Sequence, residues 1–302
     1  MKSNELISTA KEFLDFFIGD SRFKTSNKFD ASKGSRRGML FRGQSDAAWG
    51  LLSSVFRGGR PLLDFTPQAP EVDKSSLRES LGHHLHAEAR SVFLFLESAD
   101  RMGIPTPIDL TTLNDSTDLI TAAMRDEEYD YSEQFPKSTF EASMALAQHN
   151  GVPTRLLDWS ESPLVACYFA ALGRSVFSSK KSKINQEIVV YFMSRDQCHH
   201  ASSPVSLIKV PKFQNVNLRC QQGMFTNIKG ANTIFLEDGA WPDLLSLTSS
   251  KFQIQKRRLP ASESDDLLRL LYDLDISRES LFPSLANAAA SYKYRKALFS
   301  NI

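Results

Sequence analysis

The sequence predicts a single α+β domain, and three observations carry that prediction. An isolated apolar run, Met39-Leu40-Phe41, stands ahead of a long stretch with helical periodicity. Four runs rich in β-branched and aromatic residues cluster at 188–193, 205–210, 224–228 and 252–255, and helical patterns close the chain. The order is strand, helices, strand, helix, several strands, then helices, without the regular alternation of a doubly wound sheet. The expected architecture is a central mixed or antiparallel sheet, a helical insertion after its first strand, and C-terminal helices. Residues 1–38 read as an N-terminal helix and polar lead-in, 39–285 as the domain proper, and 286–302 as a C-terminal helix.

Taken in order, Leu6, Ile7, Ala10, Phe13, Leu14 and Phe17 recur at helical spacing, with Gly19 placed to end that helix. A polar stretch, 21–37, leads to the strand at 39–41. The Gly- and Pro-rich segment 58–70 reads as a loop. Helical patterns follow at 75–102, 117–128 and 138–150, the last stopped by Gly151, which tolerates a left-handed cap, and by Pro153. Residues 154–159 form a short extended element, and Ser162-Pro163 opens an almost wholly apolar helix to Leu172. The lysine- and serine-rich stretch within 175–186 reads as a surface loop. Ser262 is placed to cap a helix through Leu274, and 286–299 reads as the last helix.

Composition narrows the function. A chain of 302 residues with 41% apolar and 24% charged residues has ample material for a core without staples. The net charge of +1 supplies no global field for nucleic acid or membrane, so a polyanion site must be local. Cys167, Cys198 and Cys220 are odd in number and lack a CxxC pair, which argues against a disulfide framework or cysteine zinc site. No signal core and no run of roughly 20 apolar residues is present, so a cytoplasmic protein is expected. The runs Arg36-Arg37 and Lys256-Arg257-Arg258 are short enough to be solvated faces, and direct nucleic-acid binding is not expected. His83, His84 and His86 have no nearby cysteine or aspartate to complete a site, so no metal is predicted.

Two segments concentrate the chemistry. Phe41-Arg42-Gly43-Gln44 delivers an arginine at the end of an apolar strand, beside a glycine that admits a close neighbour; it suits a phosphate or carboxylate clamp, or a structural pair with an acid such as Asp158. Gln148 through Ser160 crowds polar and ionisable side chains onto a helix end and a short extended stretch, and burying Arg155 and Asp158 there demands partners. His149 is a candidate general base or a helix-terminal structural histidine. Asp158 is better suited to fixing Arg42 or Arg155 than to attacking a substrate. No GxGxxG follows a strand and no Walker-type loop exists, so any nucleotide site must be built otherwise.

Phe41 to Gln44, Gln148 to Trp159, Pro163-Leu164-Val165-Ala166 with Tyr168-Phe169-Ala170, and Gln222-Gly223-Met224-Phe225 together resemble the FRG domain family, over most of the span from Leu40 to Leu285. That resemblance implies a setting in bacterial and phage-related proteins. The layout of an Arg-Gly strand, a serine-bearing strand, an apolar helix and an apolar strand is also similar to the core of ADP-ribosyltransferases. This second resemblance implies NAD as substrate, with Arg42, Gly43 and Gln44 on its phosphates or ribose, Trp159 or Phe169 stacked on nicotinamide, and Ser160 at the serine-motif position. Gln148, Arg155, Asp158 and Gln222 complete the expected cofactor-binding set. The late glutamate of that family is matched here by Gln221-Gln222-Gly223. Glu141, seven residues before Gln148 on one helix face, is the substitute acid, with His149 beside it. The alternative is a non-catalytic module that senses a nucleotide or binds a protein partner.

Overall fold

The computed structural model of the chain describes residues 5–24, 29–30, 35–36, 38–58, 61–64, 76–106, 135, 138–177, 186–208, 210, 212 and 215–300. Six strands form one sheet: β1 (Met39–Gln44), β2 (Leu157–Ser160), β3 (Glu187–Ser194), β4 (Val205–Ile208), β5 (Gly223–Ile228) and β6 (Gln255–Pro260). Their spatial order is β4-β5-β2-β1-β3-β6, and every neighbouring pair is antiparallel. A separate two-stranded hairpin pairs Phe29–Asp30 with Ser35–Arg36. The helices that frame the sheet are α1 (Ala10–Gly19), α2 (Leu77–Arg101), α3 (Ser138–His149), α4 (Pro163–Leu172), α5 (Ala231–Asp238), α6 (Ser264–Tyr272) and α7 (Leu285–Phe299). This is the α+β architecture that the sequence implies. The expected helix at 117–128 lies outside the described residues.

Differences at the ends of elements have local causes. The first helix starts at Ala10 because the Thr9 side chain accepts from the Glu12 N–H and caps it. Leu6, expected inside that helix, instead bridges in parallel to Arg258 on β6. The last strand runs from 255 to 260, not 252 to 255: Phe252 reaches the core from a turn, while Lys256, Arg257 and Arg258 stand on an outer strand. Charged residues blunt an edge strand, and there they hide its extended character. Helix α6 starts two residues after Ser262, and its N-cap is Glu263.

The sheet carries its helices on one face. Phe41, Ile188, Val190, Phe192 and Leu259 pack with buried residues of α1, α4 and α6. Ile208 and Phe225 pack against α2 and α3. Side chains alternate along a strand, and the register Phe41↔Ser160 with Asp158↔Phe225 puts these two helical layers on the same face. Leu40, Val189, Tyr191, Leu157, Trp159 and Met224 point the other way, into a core closed by Leu51, Leu244 and Phe252.

The join between the halves positions the site. Whereas β1 pairs with β3 along six residues, it pairs with β2 only at Phe41↔Ser160. Beyond that point the strands part. Gly43 sits at the parting because α4 presses on it: a Cβ there would lie 1.9 Å from the Ala166 carbonyl oxygen and 2.7 Å from Ala170 N. The close neighbour foreseen for this glycine is thus a helix backbone. Gly43→Ala must displace α4 from the sheet; urea unfolding is expected to show a loss of about 3 kcal/mol, and retention of wild-type stability would contradict this packing.

Candidate functional site

The parted strands open a cleft of about 410 Å3 between them, lined from both faces of the sheet. One wall comes from β1 and α4, with Arg42, Gly43, Gln44, Val165, Ala166 and Phe169; the other comes from the end of α3 and from β2 and β5, with Gln148, His149, Asp158, Ser160 and Phe225. Trp49, Arg57, Gln221 and Phe282 add to the lining from loops and turns. Both segments that the sequence singles out therefore meet at one cavity.

Arg42 bridges the split. Its Nη1 donates to the Asp158 backbone oxygen at 2.7 Å and stands 3.6 Å from the carboxylate Oδ2, beyond hydrogen-bonding range. A side chain thus links β1 to β2 beside the point where their ladder stops. Burial works against the charge of Arg42 and Asp158 offsets it; a guanidinium stays protonated in such a setting. The Asp158 side chain is 49% exposed and is the one carboxylate lining the cleft among the described residues. Burial lowers the pKa of neighbouring His149, with Asp158 opposing, so its imidazole is neutral near pH 7 and able to accept a proton.

Several expected ligands turn out to have structural duties. Gln44 donates to the carbonyls of Trp49 and Gly50, at 3.2 and 3.3 Å, and so holds the loop that carries Trp49. Ser160 donates to the Gln221 carbonyl and accepts from Ser162 N–H. Trp159 is 3% exposed, with its indole N–H on Thr226 Oγ1 at 2.9 Å. Its ring belongs to the core on the other face, one residue out of step with Asp158. It borders the cleft from there, and Phe169, its alternative as a stacking ring, lines the cleft as well. Gln222 lies outside the lining, with a left-handed backbone (φ 48°), and Gln221 lines the cleft in its stead.

Arg155 and Glu141 are not brought to the cleft. Arg155 is sealed behind it, hydrogen-bonded through Nε and Nη2 to Glu88 Oε2 at 3.0 and 2.8 Å and through Nη1 to Asn232 Oδ1 at 3.0 Å. Its guanidinium lies over the Phe135 ring, 4.5 Å from the centroid. Arg155 therefore ties α2 and α5 to the strand that bears Asp158. Glu141 shares the face of α3 but stands about 10 Å along the axis from Gln148, since each residue adds about 1.5 Å of rise. It is half-buried, and burial raises its pKa.

Trp49 and Arg57 were not anticipated. Trp49 is 47% exposed at the cleft although its backbone oxygen is bonded by Gln44, and Arg57 is an exposed cation there, bonded through Nε to Leu52 O. Neither lies in a periodic element, so no pattern marked them. An apolar-ring residue beside Gly50, in a turn right after an Arg-Gly strand, was the available signal.

The FRG domain family model matches residues 113–179, which contain Gln148 to Trp159 and α4 but not Phe41 to Gln44. No curated protein and no solved structure matches the chain. Among the described residues no group of three or more His, Cys, Asp or Glu is placed to hold a metal, and no helix is long and apolar enough to cross a membrane.

The scaffold behind the cleft makes a pH test. His84 packs against the stacked rings of Phe56 and Trp241 near Arg155, and burial depresses its pKa to about 3. Unfolded, it titrates near the ordinary histidine value of about 6.5. The unfolded chain therefore takes up a proton that the folded one refuses, and stability falls as pH drops from about 6.5 toward 3. His84→Phe removes this proton uptake: its urea midpoint is expected to fall less than that of the wild type between pH 7 and pH 4.5, and parallel falls would contradict it.

Proposed function

We propose, from the premise that the chain carries an FRG domain, that its cleft binds NAD and that the protein is an ADP-ribosyltransferase-like enzyme. The observation that carries the reading is the company at the split: two guanidiniums, one half-exposed carboxylate and flat rings around a single cavity. A cavity of about 300–1,000 Å3 with few polar groups is typical of a small-molecule site. A diphosphate needs cations, which Arg42 and Arg57 provide. A nicotinamide or adenine ring needs a flat apolar surface, which Phe169 or the exposed Trp49 provides.

Asp158 supplies what the reaction needs most. When the bond between the ribosyl C1 and nicotinamide breaks, its electron pair leaves with the ring and neutralises the pyridinium, while C1 becomes oxocarbenium-like. A carboxylate fixed near C1 stabilises that charge in the transition state more than in the ground state. The acceptor, water or a side-chain nucleophile, forms the new bond to C1 and gives its proton to neutral His149. Asp158 here takes the part that the sequence assigned to Glu141. A cytoplasmic effector in bacterial or phage defence is the setting that fits such a chemistry. A non-catalytic nucleotide sensor is the second reading, favoured by the glutamines at 221 and 222 where the resemblance leads one to expect an acid.

The test is NMR of the purified chain with NAD, following line broadening for binding and free nicotinamide for turnover. Wild type is expected to release nicotinamide, Asp158→Asn to bind NAD while release falls at least about a hundredfold, and Arg57→Ala to weaken binding about tenfold. Binding without release by wild type would favour the sensor, and no binding at all would overturn the NAD reading.

A further inference from the structure

We infer that Gln148 is a positioning residue that holds the Asp158 carboxylate off Arg42, leaving both charges available to a ligand. Its catalytic consequence rests on the proposed NAD reading; its geometric part does not. Gln148 closes the last turn of α3 and lines the cleft, yet its amide has no bonding capacity left for a ligand. The oxygen accepts from the Thr154 N–H at 3.1 Å and the Thr154 hydroxyl at 2.7 Å, with Ser54 Oγ at 3.1 Å. A backbone N–H can only donate, so the end of the amide facing Thr154 is the oxygen. The nitrogen must then face the other way, where its two hydrogens go to Leu156 O at 3.1 Å and Asp158 Oδ2 at 2.9 Å.

The consequence lies in a contact that is not made. An aspartate beside a guanidinium closes to about 2.7–2.9 Å, often through two parallel bonds, when nothing restrains it. Here Nη1 of Arg42 and Oδ2 of Asp158 stay 3.6 Å apart, although Nη1 already reaches the carbonyl of the same residue. The oxygen that would close the pair is the one that Gln148 holds. Thr154, Leu156 and Ser54 in turn fix Gln148, and the Arg155–Glu88 pair fixes the strand on which they depend. Among the described residues no hydrogen bond reaches Oδ1 of this half-exposed carboxylate, which suits a ribose hydroxyl or a developing cation.

The experiment compares crystal structures and NAD kinetics of wild type, Gln148→Met, Asp158→Asn and the double variant. Methionine keeps the length of the side chain and removes its donors. In Gln148→Met the carboxylate is expected to close on Arg42 to about 2.9 Å, and nicotinamide release to fall about thirtyfold in the folded fraction. Because Gln148 acts through Asp158, adding Gln148→Met to Asp158→Asn is expected to cost nothing further in release, whereas a merely structural role would lower every background alike. A carboxylate that stays at its wild-type distance, or losses that add in the double variant, would overturn the inference. Should Gln148→Met fail to fold, Gln148→Glu keeps the acceptor for Thr154 and sets a like charge against Asp158, with the same expected closure on Arg42. If wild type neither binds nor cleaves NAD, the functional reading fails while the Arg42–Asp158 distance still decides the positioning claim.

Discussion

Everything at the site depends on the single pairing between β1 and β2. A sheet whose central strands ran in full register would seal the groove between its two helical layers, because each strand edge would satisfy the other. Here the ladder holds at Phe41↔Ser160 and then opens. Freed backbone groups need other partners, and one of them, the Asp158 carbonyl, finds the Arg42 guanidinium at 2.7 Å. The arginine that closes the gap in hydrogen bonding is thereby the cation at the floor of the cleft. Gly43 makes the geometry possible from the opposite side, since only a residue without Cβ lets α4 sit against β1 at that height.

Such an opening is stable only if the two halves are held independently, and each has its own core. Around Phe41, Phe192, Phe17 and Phe23 aromatic rings meet edge to face, fastening α1 and α4 to β1 and β3. The other half is held by Arg155. Its pair with Glu88 is fully buried, where desolvation opposes much of the attraction, so its worth lies in fixing geometry as much as in net stability. The guanidinium has bonds to Glu88 and Asn232 and an aromatic ring against its face, so the segment carrying Asp158 has one place to lie.

The sequence was most legible where period and chemistry coincided. Apolar runs located four of the six strands and the short extended element at 154–159 a fifth, and polar density between Gln148 and Ser160 marked one wall of the cleft. Alternation along β2 separates Asp158 and Ser160 from Trp159, whose indole borders the cleft from the core on the other face. Glu141 shows the opposite limit: sharing a helix face is not sharing a height, and two turns carry it away from the end where the cleft lies. What no local pattern contains is the partner of a buried charge. Arg42 and Arg155 are both arginines in motifs rich in glycine or proline, yet only the fold brings Glu88, 67 positions before Arg155, against one and not the other. Trp49 and Arg57 stayed hidden because loops have no period to read.

The polar residues of the central motif thus divide into those that touch the cleft and those that make it. Arg155 is wholly the second kind and Asp158 the first, while Gln148 stands at the boundary, lining the cavity with its amide turned to the protein. A neutral amide suits that place for a physical reason. A third cation there would compete with the ligand for Asp158, and a second carboxylate would drive Asp158 onto Arg42; an amide supplies one directed hydrogen bond without adding charge. The cleft keeps an excess of positive charge from Arg42 and Arg57, together with an acid that has not been spent on neutralising it. That separation of opposite charges across 3.6 Å is what an anionic ligand with a cationic reacting centre requires.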